Sequence, residues 1–269
     1  MPMRRALHDH WPEYLMEAAL LATFMVAATA YTVALEHPSS PLRAGLPSAL
    51  ARRGVMGVLV GATAVALIRS PWGQRSGAHF NPSTTLTFLR LGKIAPWDAF
   101  FYVAFQFAGA IAGVVVARLA LGSAVADPSV AFIATVPGAH GAPTAFVAEV
   151  VIAFALMLAV LALSNHPRLG RFTPLAVGAL VALYILVEAP LSGMSLNPAR
   201  SFAPALVGEL WRSLWVYFTA PPLGMLLAAE AYVAVRGVRA VHCAKLHHRN
   251  SQRCIFRCRF HELVGSPAH

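Results

Sequence analysis

Six apolar stretches dominate the 269-residue chain, and each approaches the roughly 20 residues that a helix needs to cross a bilayer. They are residues 14–35, 54–68, 99–121, 145–163, 174–187 and 214–235. Only 12% of the residues are charged, about half of the usual fraction in a soluble domain. This pattern predicts an all-α membrane protein and excludes an ordinary soluble enzyme and a disordered chain. The first stretch is long enough to span, so we expect it to be retained rather than cleaved as a signal peptide.

The distribution of positive charge predicts the orientation of these spans, because cytoplasmic segments are enriched in Lys and Arg. With the N-terminus inside, 15 of the 21 Lys and Arg residues fall on the cytoplasmic side and five on the other. The sequence therefore predicts a protein of the cell or inner membrane with both termini in the cytoplasm. The net charge of +10 follows from membrane flanks and a basic C-terminal segment, so no nucleic-acid partner is expected.

One short motif occurs twice, and its two asparagines are 116 residues apart. Residues 76–83 read Ser-Gly-Ala-His-Phe-Asn-Pro-Ser, and residues 192–199 read Ser-Gly-Met-Ser-Leu-Asn-Pro-Ala. Each copy leads into an apolar piece that is too short to span, at residues 80–91 and 196–207. Short pieces that contain proline are typical of re-entrant half-helices.

A buried carboxylate also recurs, with Glu17 in the first span and Glu149 in the fourth. Each half of the chain then contains three spans and one half-helix. Because three is an odd number, the two halves must be inverted relative to each other. The sequence predicts six transmembrane helices plus two re-entrant half-helices in an inverted 3+3 repeat, an architecture of membrane transport proteins.

The Asn-Pro pairs predict helix starts, since Asn favours the N-cap and Pro the first turn. Inverted halves would point the N-termini after Asn81 and Asn197 at each other, each with about half a positive charge. Such ends repel cations, while asparagine amides donate hydrogen bonds to a neutral solute. The pattern predicts a path for water or small neutral solutes that excludes protons. Arg200, expected at membrane depth, would repel cations as well; the alternative is a structural contact with Glu188 or a backbone carbonyl.

Glu17 and Glu149 admit two interpretations. As structural groups, they accept hydrogen bonds from the irregular backbone before each Asn-Pro pair. As a proton relay, they would make the chain a proton-coupled secondary transporter. We favour the structural interpretation, and with it a passive channel that catalyses no reaction and needs no cofactor for transport.

Residues 237–269, which we call the tail, form a predicted cytoplasmic unit that is rich in Cys, His and basic residues. Cys243, Cys254 and Cys258, with either His247 or His248, predict a zinc site, although their spacing is not a standard one. The alternative is a basic segment, with seven Lys or Arg from 236 to 259, held against anionic lipid head groups. A gating or sensory role for the tail on the same scaffold also stays open.

Residues 76–82 and 197–201 resemble the signatures of the aquaporin and aquaglyceroporin family, the major intrinsic proteins. The resemblance runs from about Tyr14 to Val235. It implies an aquaporin-like channel unit over residues 1–236, with repeats at about 14–121 and 145–235. It also implies one pore in each protomer of a homotetramer in the bilayer, lined by Asn81, Asn197 and Arg200.

The two motifs differ in their last residue. The first reads Asn81-Pro82-Ser83, and the second reads Asn197-Pro198-Ala199 as the family pattern requires. Serine is still small, so we expect the contact between the half-helices to survive. Ser201, where glycerol channels often carry Asp, favours the water-channel branch.

The selectivity filter departs further from the family. By similarity it would consist of Arg200, Met194, Ile185 and either Val60 or Gly61. At these four positions, water-selective members of the family typically carry Phe, His, Cys and Arg. Glycerol channels typically carry Trp, Gly, Phe and Arg. The set in this chain is apolar apart from Arg200, and it matches neither branch. It predicts a ring that passes small neutral solutes, or one that the flexible Met194 side chain closes.

Overall fold

The computed structural model describes residues 2–264, which contain helices and no β-strand. Residue 1 and residues 265–269 of the two predicted units lie outside the described residues. The helices are α1 (Met3–Glu36), α2 (Pro41–Gly45), α3 (Ala49–Arg69), α4 (Pro71–Ser76), α5 (Pro82–Arg90), α6 (Pro96–Leu121), α7 (Gly141–Ser164), α8 (Thr173–Val187), α9 (Ala189–Ser192), α10 (Pro198–Gly208), α11 (Leu214–Arg236) and α12 (Phe260–Val264).

Six of these helices are long and apolar enough to cross a membrane, which confirms the prediction of six spans: α1, α3, α6, α7, α8 with the turn before it, and α11. Their outer faces carry exposed apolar side chains such as Leu119 (80% exposed) and Val235 (81% exposed), as a lipid-facing surface requires. The largest difference from prediction is the start of α1, which begins at Met3 rather than near Tyr14. Its first turns are polar and contain Pro12, so hydropathy did not reveal them.

The helices pair according to the internal repeat. α1 packs on α6 and α7 packs on α11, which are equivalent pairs in the two halves, and α3 packs on α8 across the halves. Glycines, Gly109 and Gly113 among them, bring the paired backbones together. A Cβ added at Gly109 would lie 2.2 Å from the Ala18 carbonyl oxygen, and one at Gly224 would lie 2.4 Å from that of Val150. The half-helices α5 and α10 both contact α6 and α11.

The α3–α8 crossing gives a first prediction, for Gly61→Ala. A Cβ at Gly61 would lie 2.4 Å from the Gly178 carbonyl oxygen, and neither backbone can retreat without disturbing other packed helices. We expect a loss of about 1–3 kcal/mol in stability, measured as a lower midpoint of thermal unfolding in detergent. Gly45→Ala is the control, since a Cβ there would have no heavy atom within 4 Å from the other described parts of the chain, its own helix backbone and chain neighbours apart. Equal midpoints for the two variants would contradict the close crossing.

The described part of the tail packs against the helix bundle. Val241, Ala244 and Leu246 are buried, and the Leu246 amide donates a hydrogen bond to the Gly77 carbonyl oxygen at 3.1 Å. Lys245, which the lipid interpretation places among head groups, is 1% exposed. That part of the prediction is wrong, because the tail segment around Lys245 is covered by the protein itself.

Candidate functional site

The two Asn-Pro loops adopt the same backbone conformation. Matched positions fall in the left-handed region in both copies: Gly77 (φ 98°) and Gly193 (φ 81°), Ala78 (58°) and Met194 (52°), and Phe80 (27°) and Leu196 (58°). Three left-handed residues in five make a tight loop that leaves several amides outside any helix or strand. These amides need partners within the protein, since the bilayer offers none.

Glu17 supplies acceptors for the first loop. Its carboxylate accepts hydrogen bonds from the amides of His79 (3.1 Å) and Phe80 (2.5 Å), and from the Ser76 hydroxyl (2.7 Å). The Gln106 side-chain amide on α6 donates a fourth bond at 2.8 Å. Glu17 is fully buried, and these four donors replace the water that a carboxylate otherwise requires.

Glu149 has the equivalent position in the second half. It accepts hydrogen bonds from the amides of Ser195 (2.6 Å) and Leu196 (2.8 Å), and from the Ser192 hydroxyl (2.7 Å). The partners are the residues expected from the repeat, at matching positions before each Asn-Pro pair. In both halves, the buried carboxylate therefore accepts hydrogen bonds from the loop that precedes the Asn-Pro pair.

A pair of tyrosines supports the same loops, and sequence reasoning missed it. The Tyr102 hydroxyl on α6 donates to the Ser76 carbonyl oxygen at 2.6 Å, and the Tyr217 hydroxyl on α11 donates to that of Ser192 at 2.5 Å. These tyrosines lie 26 and 25 residues after their serines. Extending the repeat alignment into the third and sixth spans would have found them.

The two asparagines connect the halves. The Asn81 side-chain amide donates to the Leu196 carbonyl oxygen at 2.8 Å, and the Asn197 amide donates to the Phe80 carbonyl oxygen at 2.9 Å. Each asparagine also caps its own half-helix, since its Oδ1 atom accepts a bond from the Ser83 or Ala199 amide. Ser83 and Ala199 are fully buried, as small residues at this contact must be.

One cavity of about 280 Å³ runs past both asparagines. Val60, Ile185, Met194 and Arg200 are among the residues that line it. Gly61 is not, because it faces the Gly178 backbone at the α3–α8 crossing. Of the two positions that similarity left open, Val60 lines the cavity and Gly61 does not. A shift of one residue turns a helical side chain by about 100°, away from the cavity.

Arg200 reaches the cavity from the first turn of α10. Its Nη1 atom donates to the Ile133 carbonyl oxygen at 2.8 Å, in the loop before α7. The ion pair with Glu188 considered above is not formed within 4.0 Å in the described part of the chain. The guanidinium is thus held by a backbone carbonyl, the second structural contact considered above, and it also lines the cavity.

The tail brings four of its predicted zinc ligands together. One ligand atom from each of Cys243, His248, Cys254 and Cys258 lies within 4.8 Å of the other three. Of the two histidines considered above, His248 is in this cluster and His247 is outside it. Burial lowers the pKa of the neighbouring Lys245 ammonium, which donates to the carbonyl oxygens of Gln252 (3.0 Å) and Arg253 (2.7 Å).

The sequence of this chain matches one protein family and several curated relatives. The family described as major intrinsic protein matches residues 8–232. Among curated relatives, aquaporin NIP6-1 of Arabidopsis thaliana is 38% identical over 64% of this chain, and aquaporin NIP1-4 of Oryza sativa is 40% identical over 65%. The matched segments span 55% and 63% of those two proteins. Aquaporin TIP4-4 of Zea mays is 39% identical over 70% of this chain and 79% of its own.

A solved structure shares the fold. The aquaglyceroporin from Plasmodium falciparum superposes with a TM-score of 0.69 at 18% identity, over 86% of this chain and 98% of its own. Identity at this level shows the fold alone.

Proposed function

Because the chain belongs to the major intrinsic protein family, we propose that it is a passive channel for water and small neutral solutes. The observation that carries the proposal is the pair of asparagines that cap two facing half-helices beside one continuous cavity. The sequence orientation rule supports both termini in the cytoplasm, and the family resemblance supports a homotetramer in the bilayer. We assign residues 1–236 to the channel unit and residues 237–269 to the tail.

Exclusion of protons follows from the facing helix ends. Each N-terminus carries about half a positive charge, so a cation between Asn81 and Asn197 is repelled by both helix ends. Each side-chain amide has two N–H donors and uses one across the repeat, which leaves one for a solute oxygen. A central water held as an acceptor from both sides cannot pass a proton along the file.

The filter has one polar wall and three apolar ones. Arg200 offers N–H donors to a hydroxyl or water oxygen, while Val60, Ile185 and Met194 offer only apolar contact. Such a ring suits the two faces of a small polyol, whose hydroxyls and carbons lie on opposite sides. We therefore propose glycerol-sized polyols in addition to water as solutes of this channel.

Passive conduction rather than proton coupling is supported by the positions of the two carboxylates. Glu17 and Glu149 are not among the residues lining the cavity, and their oxygens face loop donors. We expect glycerol uptake to be unaffected by an imposed proton gradient. Uptake that follows the gradient would favour the coupled transporter instead.

The test of the filter is Ile185→His, measured by stopped-flow light scattering on proteoliposomes. A histidine wall narrows the ring and replaces apolar contact, so we expect glycerol permeability to fall about tenfold while water permeability is retained. Val187→His is the control, because Val187 is on the same helix but is 58% exposed and does not line the cavity.

Each outcome of this experiment is decisive. Fast water with negligible glycerol in the wild type would restrict the channel to water. If Ile185→His and Val187→His changed glycerol flux equally, the filter would not lie at Ile185. Neither solute moving faster than in empty liposomes, with the tail intact or removed, would overturn the channel.

A further inference from the structure

We propose that Cys243, His248, Cys254 and Cys258 bind one Zn²⁺ ion, and that this ion holds the tail as a cap over one mouth of the cavity. The metal site stands by itself. The cap rests on the proposed channel function, because it regulates the same path.

The ligand atoms fit a tetrahedral ion of this size. Zinc binds thiolate sulfur at about 2.3 Å and imidazole nitrogen at about 2.0 Å, which sets ligand-to-ligand distances of roughly 3.5–3.8 Å. The Cys243 and Cys254 sulfurs are 3.6 Å apart, which lies within this range, whereas the Cys258 sulfur and His248 Nε2 are 3.0 Å apart and would separate slightly around the ion. All three cysteines are free thiols, and thiolate with imidazole favours zinc over magnesium or calcium. Small adjustments within the 4.8 Å cluster complete the coordination.

The charge of the site fits its surroundings. Three thiolates, a neutral imidazole and Zn²⁺ sum to one negative charge, and the three thiol protons leave to solvent on binding. Lys245, two residues from Cys243, is 1% exposed, and among the described residues no carboxylate lies within 4.0 Å of its ammonium. The two carbonyl oxygens that accept its hydrogen bonds are neutral, so a nearby negative charge would stabilise this buried cation further. The metal complex supplies it.

The first pair of ligands encloses a segment that enters the cavity. Between Cys243 and His248, Leu246 is one of the residues that line the cavity, as are His79 and Val177. The Ala244 carbonyl oxygen lies 2.9 Å from His79 Nε2, and the Leu246 amide donates to the Gly77 carbonyl oxygen. We call this end of the cavity the tail-side mouth.

The second pair of ligands encloses another contact with the same loop. Between Cys254 and Cys258, the Phe256 ring stacks on the His79 ring, with centroids 5.4 Å apart. A Cβ at Gly77 would lie 2.6 Å from that ring. One ion therefore joins both tail segments that close on the Asn-Pro loop, at residues 243–248 and 254–258. Removing the ion is expected to free Leu246 from the tail-side mouth and raise permeability.

The metal is tested without reference to transport. Full-length protein is purified in detergent without an affinity tag or chelator, and zinc is measured by mass spectrometry. We expect one zinc per chain, lost in Cys258→Ser and kept in His247→Gln, the neighbouring histidine outside the cluster. Co²⁺ added to the zinc-free protein should give the visible and thiolate charge-transfer bands of a tetrahedral site. Absence of zinc together with absence of these bands would overturn the site, as would zinc retention in Cys258→Ser.

The cap is tested in proteoliposomes that hold zinc-loaded or chelator-treated protein. We expect a several-fold rise in water permeability after chelation, reversed by added Zn²⁺, and a similar rise in Leu246→Ala with zinc still bound. Bound zinc with permeability unchanged by chelation and by Leu246→Ala would overturn the cap but leave the site. If no condition gives permeability above empty liposomes, the channel itself fails, and the metal measurement still decides the site.

Discussion

Glu17→Ala is expected to prevent most of the protein from folding. The substitution removes the acceptor of two backbone amides, a hydroxyl and the Gln106 side chain, all in a buried site. A buried donor without a partner costs about 1–3 kcal/mol, so losing the carboxylate is expected to cost at least about 3 kcal/mol. That is a large fraction of the total stability of an ordinary domain. Yield after membrane extraction and the midpoint of thermal unfolding measure the effect.

Two further variants separate the structural role from the loss of a charge. Glu230→Ala removes a carboxylate whose side chain is 50% exposed and paired with Arg90 at the surface, where a salt bridge contributes little. We expect it to fold as the wild type does. Glu17→Gln keeps one acceptor oxygen, so its yield and unfolding midpoint should lie between those of Glu17→Ala and Glu230→Ala. If Glu17→Ala folded normally and lost only a proton-dependent activity, the relay interpretation would replace the structural one.

The parts of the fold that sequence could predict are those with a local cause. The half-helices begin where Asn and Pro specify a cap and a first turn, and the inverted arrangement follows from counting three spans per half. The glycine crossings follow from residues that have no side chain to separate two backbones. Each of these depends on a pattern within a few residues or on a repeat, and both are visible in one sequence.

The parts that sequence could not predict depend on rotation or on distant contacts. Choosing Val60 over Gly61, or His248 over His247, requires knowing which way neighbouring side chains point, and similarity fixes the position only to within one residue. The tail was predicted as a cytoplasmic unit, but its irregular backbone has no period. Nothing local indicates that Leu246 contacts a loop 169 residues earlier, at Gly77.

Arg200→Val is expected to open the filter to protons. The guanidinium lines the cavity and is held by a neutral carbonyl, and in residues 2–264 no carboxylate oxygen lies within 4.0 Å of it. A cation about 5 Å from it, at an effective dielectric constant near 20, is raised in energy by roughly 3 kcal/mol. Removing that barrier corresponds to about a hundredfold rise in proton permeability where the filter limits the flux. The decay of an imposed pH gradient, followed with a trapped fluorescent indicator, measures this change.

Two controls are needed to interpret this result: the water permeability of Arg200→Val, and the same substitution at a second arginine. Water flux retained in Arg200→Val distinguishes an open filter from a misfolded channel. Arg53 lines the same cavity, so Arg53→Val removes a positive charge from the path but leaves the ring of Val60, Ile185 and Met194 intact. We expect little proton leak from it. Equal leaks in both variants would mean that total charge along the path matters rather than its position in the filter. No leak in either would assign proton exclusion to the half-helix ends at Asn81 and Asn197 alone.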